Sequence, residues 1–198
     1  MISETHLTLR LARMHAARET GEDVHFEKIS EAHERIRTLI QDVMALVKGG
    51  DVIGEVEAIS LETIARAAWE SVQTGDATLE VHTDRRLLAD PVRLQTLLEN
   101  LFRNAIEHGR PPDERDLPFR VTVGDDGDGF FVADTGSGFS VDEPDQLVDP
   151  GETGTGQGTG LGLAIVDSIA GAHEWTCSIS ESAAGGARFT FDSVQWAE

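Results

Sequence analysis

Glu99-Asn100-Leu101-Phe102-Arg103-Asn104-Ala105, then Asp134-Thr135-Gly136-Ser137-Gly138, then Gly154-Thr155-Gly156-Gln157-Gly158-Thr159-Gly160-Leu161-Gly162-Leu163 are the three pieces around which this 198-residue chain is organised. Asn100 and Asn104 lie four apart and share one face of a helix, with Leu97, Leu101 and Ile106 supplying its apolar side. Two amides on a largely buried helix need partners. Taken alone such a pair is usually ordinary surface polarity; beside phosphates, an amide oxygen can complete the octahedral shell that Mg²⁺ otherwise fills with water and phosphate oxygens. Asp134 ends an apolar strand and is followed by two glycines. Turn chemistry explains that by itself. A carboxylate on a pocket floor can also accept a hydrogen bond from an exocyclic amine such as adenine carries, and glycines let the backbone approach a flat base. The glycine run leads directly into a helix starting near Leu161, where backbone N–H groups form an anion site suited to polyphosphate. It is no Walker A loop, since no Gly-Lys-Ser/Thr follows, and no Rossmann fingerprint, since no strand directly precedes it.

Outward from these pieces the chain alternates helices with antiparallel hairpins. Asp90-Pro91 opens the asparagine helix, Asp as N-cap and Pro at N1, and Gly109 ends it. Before it, Ser60 caps a helix running to about Val72, and Thr78–His82 and Arg86–Ala89 read as strands. After it, Arg110–Pro118 is a polar loop. Phe119–Val123 and Phe130–Ala133 then form a hairpin whose turn is expected at Asp125–Gly129. Residues 139–160 lack periodicity and read as a lid or a disordered segment. A helix over Leu161–Ala172 precedes two strands, Trp175–Ser180 and Ala187–Phe191, around the Ala183–Gly186 turn. The expected fold class is α+β: a two-layer α/β sandwich, one mixed sheet with helices on one face.

Residues 1–50 read as a helical hairpin, with Ile29, Ile36 and Val43 every seven residues and His33, Ile40 and Val47 as the companion row. Such a stripe is not buried by one hairpin, so a two-fold partner closing a four-helix bundle is expected, that is, a homodimer. Asp51–Ala58 reads as linker and 59–198 as the second domain. Asp and Glu number 36 against 16 Lys and Arg, a net charge of −20. That surface repels nucleic-acid phosphates, so no nucleic-acid partner is expected. With lysine confined to Lys28 and Lys48, the dispersed acidity points to a protein adapted to high salt, as in haloarchaea. No apolar run spans a bilayer and no signal-peptide core stands at the N-terminus, so a cytoplasmic location is expected. The single cysteine, Cys177, excludes an intrachain disulfide and reads as a small buried hydrophobe.

The order of the three pieces resembles the N, G1 and G2 boxes of sensor histidine kinases in the GHKL ATPase superfamily, over about residues 59–193, and the hairpin resembles their dimerisation module. The resemblance implies ATP and Mg²⁺ as cofactors, with Asn104 as the metal ligand and Asn100 assisting near the phosphates. It implies an adenine site from Asp134, Gly136 and Gly138, and an ATP lid over Gly156–Gly162, with Gly156, Gly158, Thr159, Gly160, Leu161 and Gly162 against nucleotide. His108 is counted with the cofactor-binding residues: the family's basic residue after the Mg²⁺ asparagine is replaced here by Glu107, with His108 next to it. The gyrase and chaperone branches place a water-activating glutamate where Asn100 stands, and Glu99 points about 100° away around the helix, so the kinase branch fits better than hydrolysis. No catalytic residue is assigned, because the phosphoacceptor His with its acidic neighbour is not recognisable; His6 is followed by Leu7-Thr8-Leu9. A Thr common near the penultimate turn is replaced by Ala187. The implied activity is transfer of the γ-phosphoryl group to a histidine and onward to a response-regulator receiver domain. Two other readings stay open: a non-catalytic module that binds ATP or only its dimer partner, and a serine kinase of the anti-sigma type.

Overall fold

The computed structural model describes residues 53–110, 118–138 and 161–197, all within one compact unit spanning Asp42–Glu198. The hairpin expected over 1–50 and its heptad seam lie outside the described residues, as does the 139–160 segment.

Strand β1 (Glu57–Ser60) leads into helix α1 (Leu61–Ser71), then β2 (Thr78–His82) and β3 (Arg86–Ala89). Helix α2 (Pro91–His108), the hairpin β4 (Arg120–Asp126) and β5 (Gly129–Asp134), helix α3 (Gly162–Ala172), β6 (Thr176–Glu181) and β7 (Ala187–Asp192) follow. The main sheet runs β2-β4-β5-β7-β6. The β2–β4 pair is parallel and the remaining pairs are antiparallel. Alternation along the strands puts Val121, Val123, Phe130, Val132, Phe189 and Phe191 in the core. The opposite face carries Thr122, Phe131, Arg188 and Thr190 between the buried positions and takes water, as one face of an antiparallel sheet can. The helices close the inner face, giving the two-layer α/β sandwich.

Both long-range helix starts are set locally. The Ser60 side chain accepts from Thr63 N at 3.2 Å, and Leu61, Ile64, Ala65 and Ala68 bury one stripe of α1. Asp90 Oδ1 accepts from Val92 N and Arg93 N at 2.9 and 3.2 Å, a cap whose loss costs about 1 kcal/mol. Helix α2 is buried along Leu94, Leu97, Leu98, Leu101, Phe102 and Ala105, and Phe102 meets Trp69 of α1 edge to face at 5.2 Å. Helix α3 packs on its other side through Ile165, Val166, Ile169 and Ala170.

Three features depart from the sequence reading. The β4–β5 turn is shorter than expected: Asp125 pairs with Phe130 and Asp126 with Gly129, leaving only Gly127 and Asp128 as the loop. Pairing begins at Glu57, inside the stretch expected to be linker, where β1 lies antiparallel to β3 with Glu57 opposite Ala89. Residues 195–197, assigned to no element, run along the other edge of β3, with Leu88 N bonded to Gln195 O and Ala197 N to Arg86 O, both at 2.8 Å. These pairings join segments far apart in sequence and leave no local periodic signal.

Candidate nucleotide site

The period-two alternation that buries Phe130 and Val132 carries Asp134 to the same inner face of β5. The carboxylate is 6 % exposed. Oδ1 accepts from Gly136 N at 2.8 Å and from Ala187 N at 3.2 Å. Among the described residues Oδ2 has no hydrogen-bond partner. Burial raises the Asp134 pKa above its ordinary value of 3.8, and the two backbone N–H groups pull it back only in part. The surroundings leave no room for side chains: a Cβ on Gly186 would overlap Asp134 Oδ1, and one on Gly136 would overlap the carbonyl oxygen of Gly109. Ser137 N bonds that same carbonyl at 2.9 Å, so the end of α2 and the loop after Asp134 are joined. Gly138 sits at φ +70° against Gly185, a conformation for which glycine is suited.

Ser182 is part of this construction and carried no signal in the sequence beyond standing at a turn. Its hydroxyl donates to Asp134 O at 2.7 Å and accepts from Gly186 N at 3.0 Å. One buried hydroxyl thus ties the β6–β7 turn down onto the end of β5. The position expected to hold Thr is Ala187, whose backbone N–H, not a side chain, reaches Asp134.

On α2 the two asparagines differ. Asn100 is 4 % exposed, with Nδ2 donating to Thr96 O at 2.8 Å and Oδ1 accepting from Arg103 at 3.3 Å. Asn104 is half-buried. A Cβ on Gly162 would sit 3.2 Å from Asn104 Oδ1 and 3.5 Å from Asn100 Oδ1, so both amides face the first residue of α3. Leu161, at the N-cap of α3, gives no side-chain cap, and the positive end of a helix favours an anion. Glu99 is bonded by Gln95 at 2.8 Å. His108 is exposed in the last turn of α2, one helical turn beyond Asn104. Gly156, Gly158, Thr159 and Gly160 lie outside the described residues.

No group of three His, Cys, Asp or Glu side chains that could hold a metal stands among the described residues. The donor set at Gly162 is amide oxygen, which suits a hard cation bound mainly through water and phosphate rather than one in a protein cage. Cys177 is no nucleophile: burial, with the Asp167 charge added, pushes its thiol up to about 12, so at neutral pH it holds its proton.

The described residues form a mixed sheet with helices on one face, a buried carboxylate at the end of β5 and a pair of asparagines on α2. Residues 89–197, more than half of the chain, match the family described as histidine kinase-, DNA gyrase B- and HSP90-like ATPase, and the chain belongs to that family. Over 170 residues it is 29% identical to the sensor histidine kinase ZraS of Escherichia coli, covering 79% of this chain and 34% of that protein. Over 178 residues it is 31% identical to the sensor protein CseC of Streptomyces avermitilis, covering 85% and 32%. The chain therefore spans about a third of the length of these relatives. Among solved structures, the ATP binding domain of PrrB from Mycobacterium tuberculosis superposes with a TM-score of 0.55 at 21% identity, covering 73% of this chain and 100% of that one, a likeness of fold. No described helix is long and apolar enough to cross a membrane.

Proposed function

We propose that this chain is the ATP-binding core of a sensor histidine kinase in two-component signalling. The observation that carries the reading is Asp134: a buried carboxylate with one oxygen held by two backbone N–H groups and the other without a hydrogen-bond partner among the described residues. An exocyclic amine satisfies that oxygen, and adenine presents one where guanine presents a carbonyl. Gly136 and Gly138 shape the base pocket, and Asn104 Oδ1 would hold Mg²⁺ between the polyphosphate and α2. Bound Mg²⁺ would neutralise phosphate charge. Asn104 orients the polyphosphate, and the first-turn amides of α3 with the preceding glycines receive its negative oxygens. Phosphoryl transfer asks chiefly for such positioning and charge neutralisation. With an amide at Asn100, nothing at that position can activate water as a base, which favours transfer over hydrolysis. The acceptor would be a histidine, on a partner segment or chain, followed by a receiver-domain aspartate, and the hairpin at 1–50 would form the homodimer.

Calorimetry with Mg·ADP, Mg·ATP and Mg·GTP tests the site. Adenine nucleotides should bind and GTP should not; equal affinity for GTP would remove the Asp134 assignment. Incubation with γ-labelled ATP then separates the activities: label on an added histidine-bearing partner supports the kinase, label on serine the anti-sigma type, and binding without transfer the non-catalytic module. With a charge of −20, adaptation to high salt also predicts a melting temperature that falls as KCl is lowered from molar to millimolar, since fewer counterions screen the repulsion.

A further inference from the structure

We infer that His173 is a positioning residue that sets how far α3 is advanced along α2, and thereby holds Gly162 against the Asn100/Asn104 face. The inference rests on the nucleotide-site reading above. Its starting point is a ring with both nitrogens engaged. Asp90 N lies 3.1 Å from His173 Nε2. A backbone N–H can only donate, so Nε2 carries the lone pair and the proton is on Nδ1. Nδ1 in turn meets Ile169 O at 2.9 Å, one turn back on α3. The ring is fixed a third way by stacking on Trp175, with centroids 4.4 Å apart and planes at 24°.

Asp90 is the N-cap of α2, and its own N–H is the group that a capping-box Glu or Gln three residues on would normally accept. Arg93 stands there instead, and the acceptor comes from the far end of another helix. The rest of Asp90 is equally committed: Oδ1 caps α2, and Oδ2 accepts from Gly54 N at 2.8 Å. His173 thus grips a fixed point.

The two helices lie antiparallel, Gly162 near Asn100 and Asn104 and His173 at Asp90. Eleven residues separate Gly162 from His173, about 16 Å at 1.5 Å per residue, and twelve separate Asp90 from the midpoint of the asparagines, about 18 Å. The bond at one end and the binding face at the other therefore span matched lengths. Apolar contacts through Ile165, Val166, Ile169 and Ala170 hold the helices together but are non-directional and resist an axial slide weakly. The imidazole bond is directional, and a slide of one residue, about 1.5 Å, would either drive Gly162 into the amides or withdraw it from them.

The test compares His173→Phe, which keeps the stacked ring and loses both nitrogens, with His173→Gln, which restores an acceptor and a donor, and with Leu61→Ala, a core cavity on α1. Amide hydrogen exchange at Leu163–Val166, remote from the substitution, should accelerate about tenfold in His173→Phe, and Mg·ADP affinity should fall about fivefold to tenfold. His173→Gln should recover most of both. Leu61→Ala should lower the melting temperature while leaving ADP affinity unchanged. Faster exchange confined to residues 170–175, or an equal affinity loss in Leu61→Ala, would overturn the positioning role. If the unaltered protein binds no adenine nucleotide, the function proposed above fails, while exchange at 163–166 still decides the tether. Ring ¹⁵N shifts of the unaltered protein give a check that needs no variant: an Nε2–H tautomer would overturn the inference.

Discussion

The Asn100 turn of α2 and the Asp134 end of β5 each bury a polar side chain almost completely, and the fold treats them in opposite ways. Asn100 is answered within its own helix, Nδ2 by Thr96 O and Oδ1 by Arg103. Among the described residues Asp134 is answered on one oxygen only, by a backbone N–H two residues on and another from the start of β7. A buried polar group answered on both of its polar atoms is held by the fold itself, because leaving it unpaired would be expensive. One held at a single atom retains an unspent affinity, at a stability cost that something outside the chain can repay. Site residues commonly sit in such costly places.

That contrast is broken most directly at Asp134. Asp134→Asn keeps an acceptor for Gly136 N and Ala187 N but removes the charge that favours an amine. ADP affinity should fall on the order of a hundredfold, and the melting temperature should hold or rise. The pH dependence follows from the raised pKa: the folded protein keeps this proton where the unfolded chain has lost it. The stability that this carboxyl contributes is therefore present in acid and lost as pH rises through its folded value. Denaturant midpoints measured from about pH 3 to about pH 7 should show the Asn variant gaining on the unaltered protein as pH rises. A widening advantage for the unaltered protein would mean that Asp134 stabilises the fold instead of being kept for a ligand.

The asparagines sharpen the comparison at the next level of effect. Asn104→Ala should weaken Mg·ADP binding about tenfold and barely alter the melting temperature. Asn100→Ala should do the reverse, costing about 1–2 kcal/mol of stability in chemical denaturation while affinity changes less than about threefold. Equal behaviour of the two would erase the distinction drawn from their hydrogen bonds. The smallest effect is expected at Ser182, where loss of the hydroxyl leaves Gly186 N and Asp134 O unpaired. Ser182→Ala should cost about 1 kcal/mol in the same measurement, with a modest loss of ADP affinity.

Much of the scaffold was legible because it is locally encoded. Asp90-Pro91 marks the start of α2 by chemistry that acts within one turn, and two-residue alternation already turns Asp134 inward beside Phe130 and Val132. What the sequence hid depends on segments distant from one another. Glu57 and Ala58 become strand only because Leu88 and Ala89 lie opposite them. Ser182 gains its role from Asp134, 48 positions earlier. The differing commitments of Asn100 and Asn104 were equally invisible, since identical side chains four apart are told apart only by what packs on them. His173 gave no motif, and its partner stands 83 positions away.

The small sheet around β3 also brings two segments far apart in sequence to the two edges of one strand. Glu57 comes in on one edge of β3 opposite Ala89, and Ala197 goes out on the other edge beside Arg86. Two strand spacings put these points roughly 10 Å apart across the sheet, and three residues roughly 10 Å along it. A short glycine-rich bridge spans that gap. The domain is thus nearly a closed ring of chain, whose order could be recut at the exposed Gly127-Asp128 turn with 197 spliced to 57. In such a permuted protein β1 and the 195–197 segment, which flank β3 on its two edges, would become neighbours in sequence.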